Sequence, residues 1–274
     1  MKKFRIILLI CVLIFLSCSK DDRTKVFSDV VKKSAKDSSQ NVAKNIPIGL
    51  QKLLKAYPDF LEKADNNHLY WKDGTVMLYD DGKQKSHDEK LDNPDLEDMM
   101  SQEYTEGRDW DSPPAENFEP GRIRYEPFFE KMYGKSESEV KKNLITITWI
   151  PGIANANIKL NKVNDVDERF KDVSDELEKV SAELQKYINK TAGTFNYRVI
   201  AGTSRLSAHA YGIAIDINTK YSDYWKWDGG MKYKNKIPIE IVEIFEKHGF
   251  IWGGKWYHYD TMHFEYRPEL LVKL

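Results

Sequence analysis

Ser207-Ala208-His209-Ala210-Tyr211-Gly212-Ile213-Ala214-Ile215-Asp216-Ile217-Asn218 is the stretch from which fold and chemistry can both be read. Side chains alternate along an extended chain, so a strand over Gly212 to Ile217 puts Ile213, Ile215 and Ile217 on one face. Gly212, Ala214 and Asp216 take the other. The isoleucines claim the core, which leaves Asp216 as the single charge on an otherwise buried strand. An unpaired carboxylate there is very costly. It needs a partner, and a metal ion is one candidate. Gly212 and Ala214 leave space on that face for an ion and a substrate, and His209 enters from the loop opened by Ser207.

A second stretch, Tyr259-Asp260-Thr261-Met262-His263-Phe264-Glu265-Tyr266, completes the pattern. The same alternation sets His263 and Glu265 on one face, with Glu265 placed to accept from a ligating imidazole. Two imidazoles and a carboxylate fill three corners of a tetrahedral zinc site, with water in the fourth. Asp260, three residues before His263, stands where metal-assisted hydrolysis needs a proton shuttle. Either histidine alone reads more simply as a hydrogen-bonded core residue; the pair with Asp216 points to a metal. His258 has no carboxylate partner among its neighbours and ranks below the other two.

Around these motifs, Leu144 to Trp149 is β-branched and aromatic and reads as a strand, with Ile158-Lys159-Leu160 as its partner. Val166, Phe170, Val173, Leu177, Val180, Leu184 and Tyr187 recur at steps of four and three and predict one long helix, closed by Gly193. Another helix starts at Pro238 and ends at Gly249. Pro47 opens a helix carrying Leu50, Leu53, Leu54 and Tyr57, and Lys72-Asp73-Gly74 turns a hairpin. Short helices are expected over Phe128 to Tyr133 and Glu137 to Leu144. Asp88 to Glu119 is acidic, broken by prolines, and reads as a long surface loop. A calcium site among Asp92, Asp95, Glu97 and Asp98 would lack the EF-hand glycine and spacing. Strand runs with segregated helices predict an α+β fold: a small antiparallel sheet with flanking helices, plus an N-terminal helix and hairpin extension.

The chain has 274 residues, 41% of them apolar, with 12 Phe, 15 Tyr and 7 Trp, enough for a sizeable core. A formal net charge of -1 argues against nucleic acid as a partner. Lys2, Lys3 and Arg5 precede the apolar run Ile6 to Leu16, too short to span a bilayer comfortably, which reads as a signal peptide. It ends in Phe15-Leu16-Ser17-Cys18, similar to a bacterial lipobox whose cysteine is lipidated; the simpler alternative is an ordinary secretory peptide with an incidental Cys18. Cys11 lies in the discarded run, so disulfides and cysteine-ligated metal sites are excluded after cleavage. The expected organisation is a lipoprotein signal peptide over 1–18 and a flexible polar tether over 19–45. An N-terminal extension with the acidic loop follows over 46–143, then a catalytic domain over 144–274. The expected location is the cell envelope, on a membrane through the lipid anchor.

Ser207-x-His209-x-x-Gly212-x-Ala214-x-Asp216, Trp252-Gly253-Gly254-x-Trp256 and Asp260-x-x-His263-Phe264-Glu265 together resemble the zinc D-alanyl-D-alanine carboxypeptidases and dipeptidases. The branch containing L-alanyl-D-glutamate endopeptidases, and a lipoprotein-bearing subgroup, are the most similar. The resemblance implies a hedgehog-like zinc peptidase fold and one zinc per chain, held by His209, Asp216 and His263. It implies Asp260 as general base and, on the strand before the first motif, an arginine that holds the polarised carbonyl or a substrate carboxylate. Arg198, in Phe195-Asn196-Tyr197-Arg198, matches that place on an expected strand, with Arg205 as a rival. Ser207, Tyr211, Trp256 and Glu265 are expected around the site, with Tyr257 and His258 along the cleft. The implied substrates are peptide bonds of peptidoglycan stem peptides, cleaved by a monomer. The alternative is a non-catalytic zinc-binding envelope lipoprotein, but such a protein has no need of Asp260. No His-Glu-x-x-His helix is present to suggest a general metalloprotease.

Overall fold

A computed structural model describes residues 46–227 and 232–274; the signal peptide, Cys18 and the tether lie outside the described residues. From its N-terminal end the chain runs through α1 (Ile48–Ala56), β1 (Leu61–Ala64), β2 (His68–Trp71), β3 (Val76–Leu78), α2 (His87–Asp92) and α3 (Leu96–Met100). Next come α4 (Glu126–Tyr133), α5 (Glu137–Lys142), β4 (Leu144–Trp149), β5 (Ala156–Asn161), α6 (Val166–Leu177), α7 (Ala182–Ile188) and β6 (Thr191–Gly193). The last elements are β7 (Ala214–Ile217), α8 (Ile239–Lys247), β8 (Phe250–Trp252), β9 (His263–Tyr266) and α9 (Pro268–Leu271). The class is α+β, with antiparallel sheets β1-β2-β3, β4-β5 and β6-β7-β9-β8. Among the described residues no helix is long and apolar enough to cross a membrane.

The four-stranded sheet positions the site. Ile213, Ile215 and Ile217 are fully buried, as the alternation requires. Phe170 from α6 and Phe245 from α8 pack with Phe250 and Phe264 of the sheet, the Phe245 and Phe264 rings stacking at 3.9 Å. These aromatic contacts seat two helices on one face. Gly212 turns the chain into β7 at φ 70°, and a Cβ there would meet the backbone nitrogen of Asn161 at 3.1 Å. Asn161 ends β5 and donates to the carbonyls of Gly212 and Tyr211, so the β4-β5 hairpin braces the strand that carries Asp216.

Pro47 to Leu274 form one compact unit, and the extension shares buried bonds with the C-terminal helices and strand β8. Tyr57 Oη donates to Glu269 at 2.6 Å. Tyr104 Oη accepts from Trp252 N at 3.0 Å while donating to Glu246.

Three expectations are corrected. The single long helix is broken after Leu177. Glu178 turns its carboxylate to the backbone N–H of Gly152 at 2.7 Å, and α7 restarts after Ser181, burying Ile188 in place of Leu184 and Tyr187. The acidic segment is not simply a loop: capping boxes at Ser86 and Asp95 start α2 and α3. Asp95 and Asp98 also hold Lys85 at 3.1 and 2.6 Å, so these carboxylates already have a cation. Phe195 to Arg198 is not a strand; a single bridge, Val199 to Leu206, closes a loop there, and β6 is the strand beside β7.

Candidate functional site

Strand register brings the motifs together. In the β7-β9 pairing Asp216 lies directly opposite His263, and Ala214 opposite Glu265. Directly opposed residues have neighbouring Cβ atoms, so the two side chains must meet on the face that they share with Ala214 and Glu265. Gly212, expected to leave space there, instead lies against Asn161. His209 arrives on the one-turn 3₁₀ helix Ala208–Tyr211, capped by Ser207 Oγ. His209 Nε2, His263 Nδ1 and Asp216 Oδ1 then converge: His263 to Asp216 is 3.1 Å, His209 to Asp216 3.2 Å and His209 to His263 3.2 Å.

The far sides of both rings set their tautomers. Thr194 O lies 2.6 Å from His209 Nδ1 and Glu265 Oε2 lies 2.9 Å from His263 Nε2. A carbonyl and a carboxylate only accept, so those nitrogens carry the hydrogens and the converging ones present lone pairs when the rings are neutral. With both rings neutral, three electron-pair donors thus face one another, the arrangement a cation requires; in the metal-free protein a proton on His263 Nδ1 takes that place, donating to Asp216. A tetrahedral ion with bonds of about 2.0–2.1 Å sets neighbouring ligand atoms roughly 3.3 Å apart, so this donor set fits zinc.

The electrostatics agree. Burial works to lower the His263 pKa, but its contacts with Asp216 and Glu265 push it up to about 10. Burial works against Asp216 ionisation, yet His209 and His263 hold it well below the usual carboxylate range. Glu265, fully buried, is likewise held low despite burial, by Arg124, His263 and Arg267. Burial, and then the charge of Asp216, push the Asp260 carboxyl up to about 6. Its Oδ1 is enclosed without a hydrogen-bond partner. A raised carboxyl beside a depressed one is how acid and base roles are separated in a site.

Asp216, His209, His263 and Asp260 border a cleft of about 320 Å³. Of the other expected residues, Ser207, Trp256 and Arg198 line it, and Trp256 lays its ring 5.6 Å from that of His263. Arg205 does not; it faces Asp92 at 3.4 Å in a neighbouring surface pocket. Tyr211 is also outside the cleft, buried between Phe129 and Tyr133, because the 3₁₀ turn rotates it inward. Tyr257 is not on the cleft wall, whereas His258 is, and His258 does have a carboxylate partner: its Nδ1 bonds Glu119. Sequence reasoning missed Glu119, Arg122, Arg124, Tyr224 and Trp225. Tyr224 bridges Asp260, and Trp225 N donates to Tyr259 O, bringing an aromatic ledge to the cleft. The one available signal was Arg122-Ile123-Arg124, two cations two residues apart that both line the cleft, though Arg122 sits in a turn.

Residues 201–266, about a quarter of the chain, match a family described as D-alanyl-D-alanine carboxypeptidase. The match spans His209, Asp216, Asp260 and His263 and supports a peptidase. No curated protein and no solved structure matches the chain.

Proposed function

We propose that this chain is a zinc-dependent peptidase of the bacterial cell envelope, lipid-anchored through Cys18, that hydrolyses peptide bonds in peptidoglycan stem peptides. The carrying observation is the convergence of His209 Nε2, His263 Nδ1 and Asp216 Oδ1 in a cleft that also holds the enclosed carboxylate of Asp260. The family match and the exported character of the N-terminal sequence support the choice of substrate. The chemistry belongs to either a carboxypeptidase or an L-alanyl-D-glutamate endopeptidase type.

His209, Asp216 and His263 would hold the ion, which when bound supplies Lewis acidity that brings the pKa of water to roughly 7. Thr194 O and Glu265 fix the two rings, so the ligands are aligned before substrate arrives. Asp260, with a pKa of about 6, is ionised at neutral pH and takes a proton from the attacking water in the cleft that it borders. It returns that proton to the leaving amine. Arg198 is exposed at the cleft, and among the described residues its side chain bonds only Val199 O, at 3.4 Å, which leaves the guanidinium to hold the substrate carbonyl.

The test is digestion of purified muropeptides by the zinc-loaded full chain, read by mass spectrometry, with Asp260→Asn as control. Release of D-alanine or of an L-alanyl-terminated fragment by the wild type alone is expected. Zinc retention with no cleavage of any muropeptide would overturn the enzymatic reading and leave a binding protein.

A further inference from the structure

Glu119 is a fully buried carboxylate that the reaction above does not use. It lies in the N-terminal extension, outside the stretch that matches the family. Its Oε1 accepts from the backbone N–H of His258 at 2.9 Å, from His258 Nδ1, and from Arg122 Nη1 at 2.6 Å. Its Oε2 faces His87 Nε2 at 3.1 Å. Despite burial, His258 and Arg122 hold its carboxyl down to about 2, so it stays charged.

A buried carboxylate is tolerated only in such company, and here part of that company faces outward. Arg122 and His258 both line the cleft that holds Asp216, Asp260 and His263, with side chains 16% and 22% exposed. Among the described residues Glu119 is the only side chain that Arg122 bonds, and it uses one nitrogen. The Nε–H and Nη2 donors remain for a ligand. Because Nδ1 of His258 is committed to Glu119, the ring can offer only Nε2 to the cleft. The ring is held edge-on by Trp225 at 4.5 Å. A guanidinium with a fixed fork and spare N–H groups suits a carboxylate.

We infer that Arg122, positioned by Glu119 and flanked by His258, is a subsite for a substrate carboxylate, so that the extension selects acidic peptides for this cleft. This rests on the reading of the cleft as a peptide site. The binding residue is Arg122; Glu119 is a positioning residue that acts through it.

The probes are the pentapeptide L-Ala-γ-D-Glu-L-Lys-D-Ala-D-Ala and the same peptide with every carboxylate amidated. Their affinities for the zinc-loaded full chain are measured calorimetrically under conditions too brief for turnover, or in an Asp260→Asn background. The wild type should prefer the acid. Arg122→Gln should lose about tenfold or more in affinity for the acid, the usual effect of removing a hydrogen bond to a charged group, with little change for the amide. Arg122→Lys should recover part of the loss. Glu119→Gln should narrow the preference in the same way, and a circular dichroism melt shows whether it still folds. Equal losses for acid and amide in Arg122→Gln, or no loss, would overturn the subsite. A wild type that prefers the acid yet cleaves neither peptide nor any muropeptide would sustain the subsite and sink the peptidase reading, so the two failures are distinct.

Discussion

Zinc binding should expel one proton from His263. In the metal-free protein this ring has acceptors on both sides: Glu265 Oε2 at 2.9 Å from Nε2 and Asp216 Oδ1 at 3.1 Å from Nδ1. With its pKa raised to about 10, the ring is doubly protonated at pH 7.5. Coordination through Nδ1 keeps the Nε2 hydrogen on Glu265 but displaces the other. Since Asp260 titrates near 6, it is already largely ionised at pH 7.5 and adds little. The expected stoichiometry is therefore about one proton per zinc, and the apparent affinity should rise about tenfold per pH unit until the pKa is reached. Isothermal titration of the metal-free full chain at pH 7.5, in two buffers of different ionisation enthalpy, counts the protons directly. Zinc binding without proton release would refute the doubly protonated state of His263 or its place among the ligands. The sign also carries to stability: a histidine with a raised pKa contributes fully below its unfolded value of about 6.5 and loses that contribution as pH rises toward 10. Melting temperatures of the metal-free protein should fall across that window.

Asp260→Asn should retain zinc while kcat falls by about 10²–10⁴; wild-type activity should rise with pH through an acid limb at or below about 6, because the added cation can only lower the Asp260 pKa. Glu265→Gln should weaken zinc binding by about 10–100-fold, measured by competition with a chelating dye. Lys255→Met strands Glu246 in a pair whose side chains are 2% and 1% exposed, and urea unfolding should show a loss of about 3–5 kcal/mol. Tyr211→Phe removes a buried hydroxyl that has no hydrogen-bond partner, so stability should stay within about 1 kcal/mol of wild type and peptide cleavage should not change.

Much of the site was legible because it is written in local periodicity. Asp216 had to leave the isoleucine face of its strand, and His263 and Glu265 had to share a face of theirs. Those statements need only the two-residue repeat of an extended chain, and the observed register joined them. Tyr211 was expected beside the site only because the resemblance put it in the first motif, and its place on a 3₁₀ turn sends the ring inward instead. The predicted long helix failed where a distant contact, Glu178 on Gly152, competed with a continuous apolar stripe.

The sequence by itself determined the fold class, the strand faces and the three residue types suited to a metal. Tertiary structure alone decided which charges satisfy which. Glu119 reaches His258 across 139 residues of chain, and Arg124 reaches Glu265 across 141. A buried carboxylate needs a partner, but nothing local says where it comes from, since that depends on how the extension folds against the last strands. His258 therefore looked unsupported in sequence and became, in three dimensions, one wall of the cleft beside His209, Asp216 and His263.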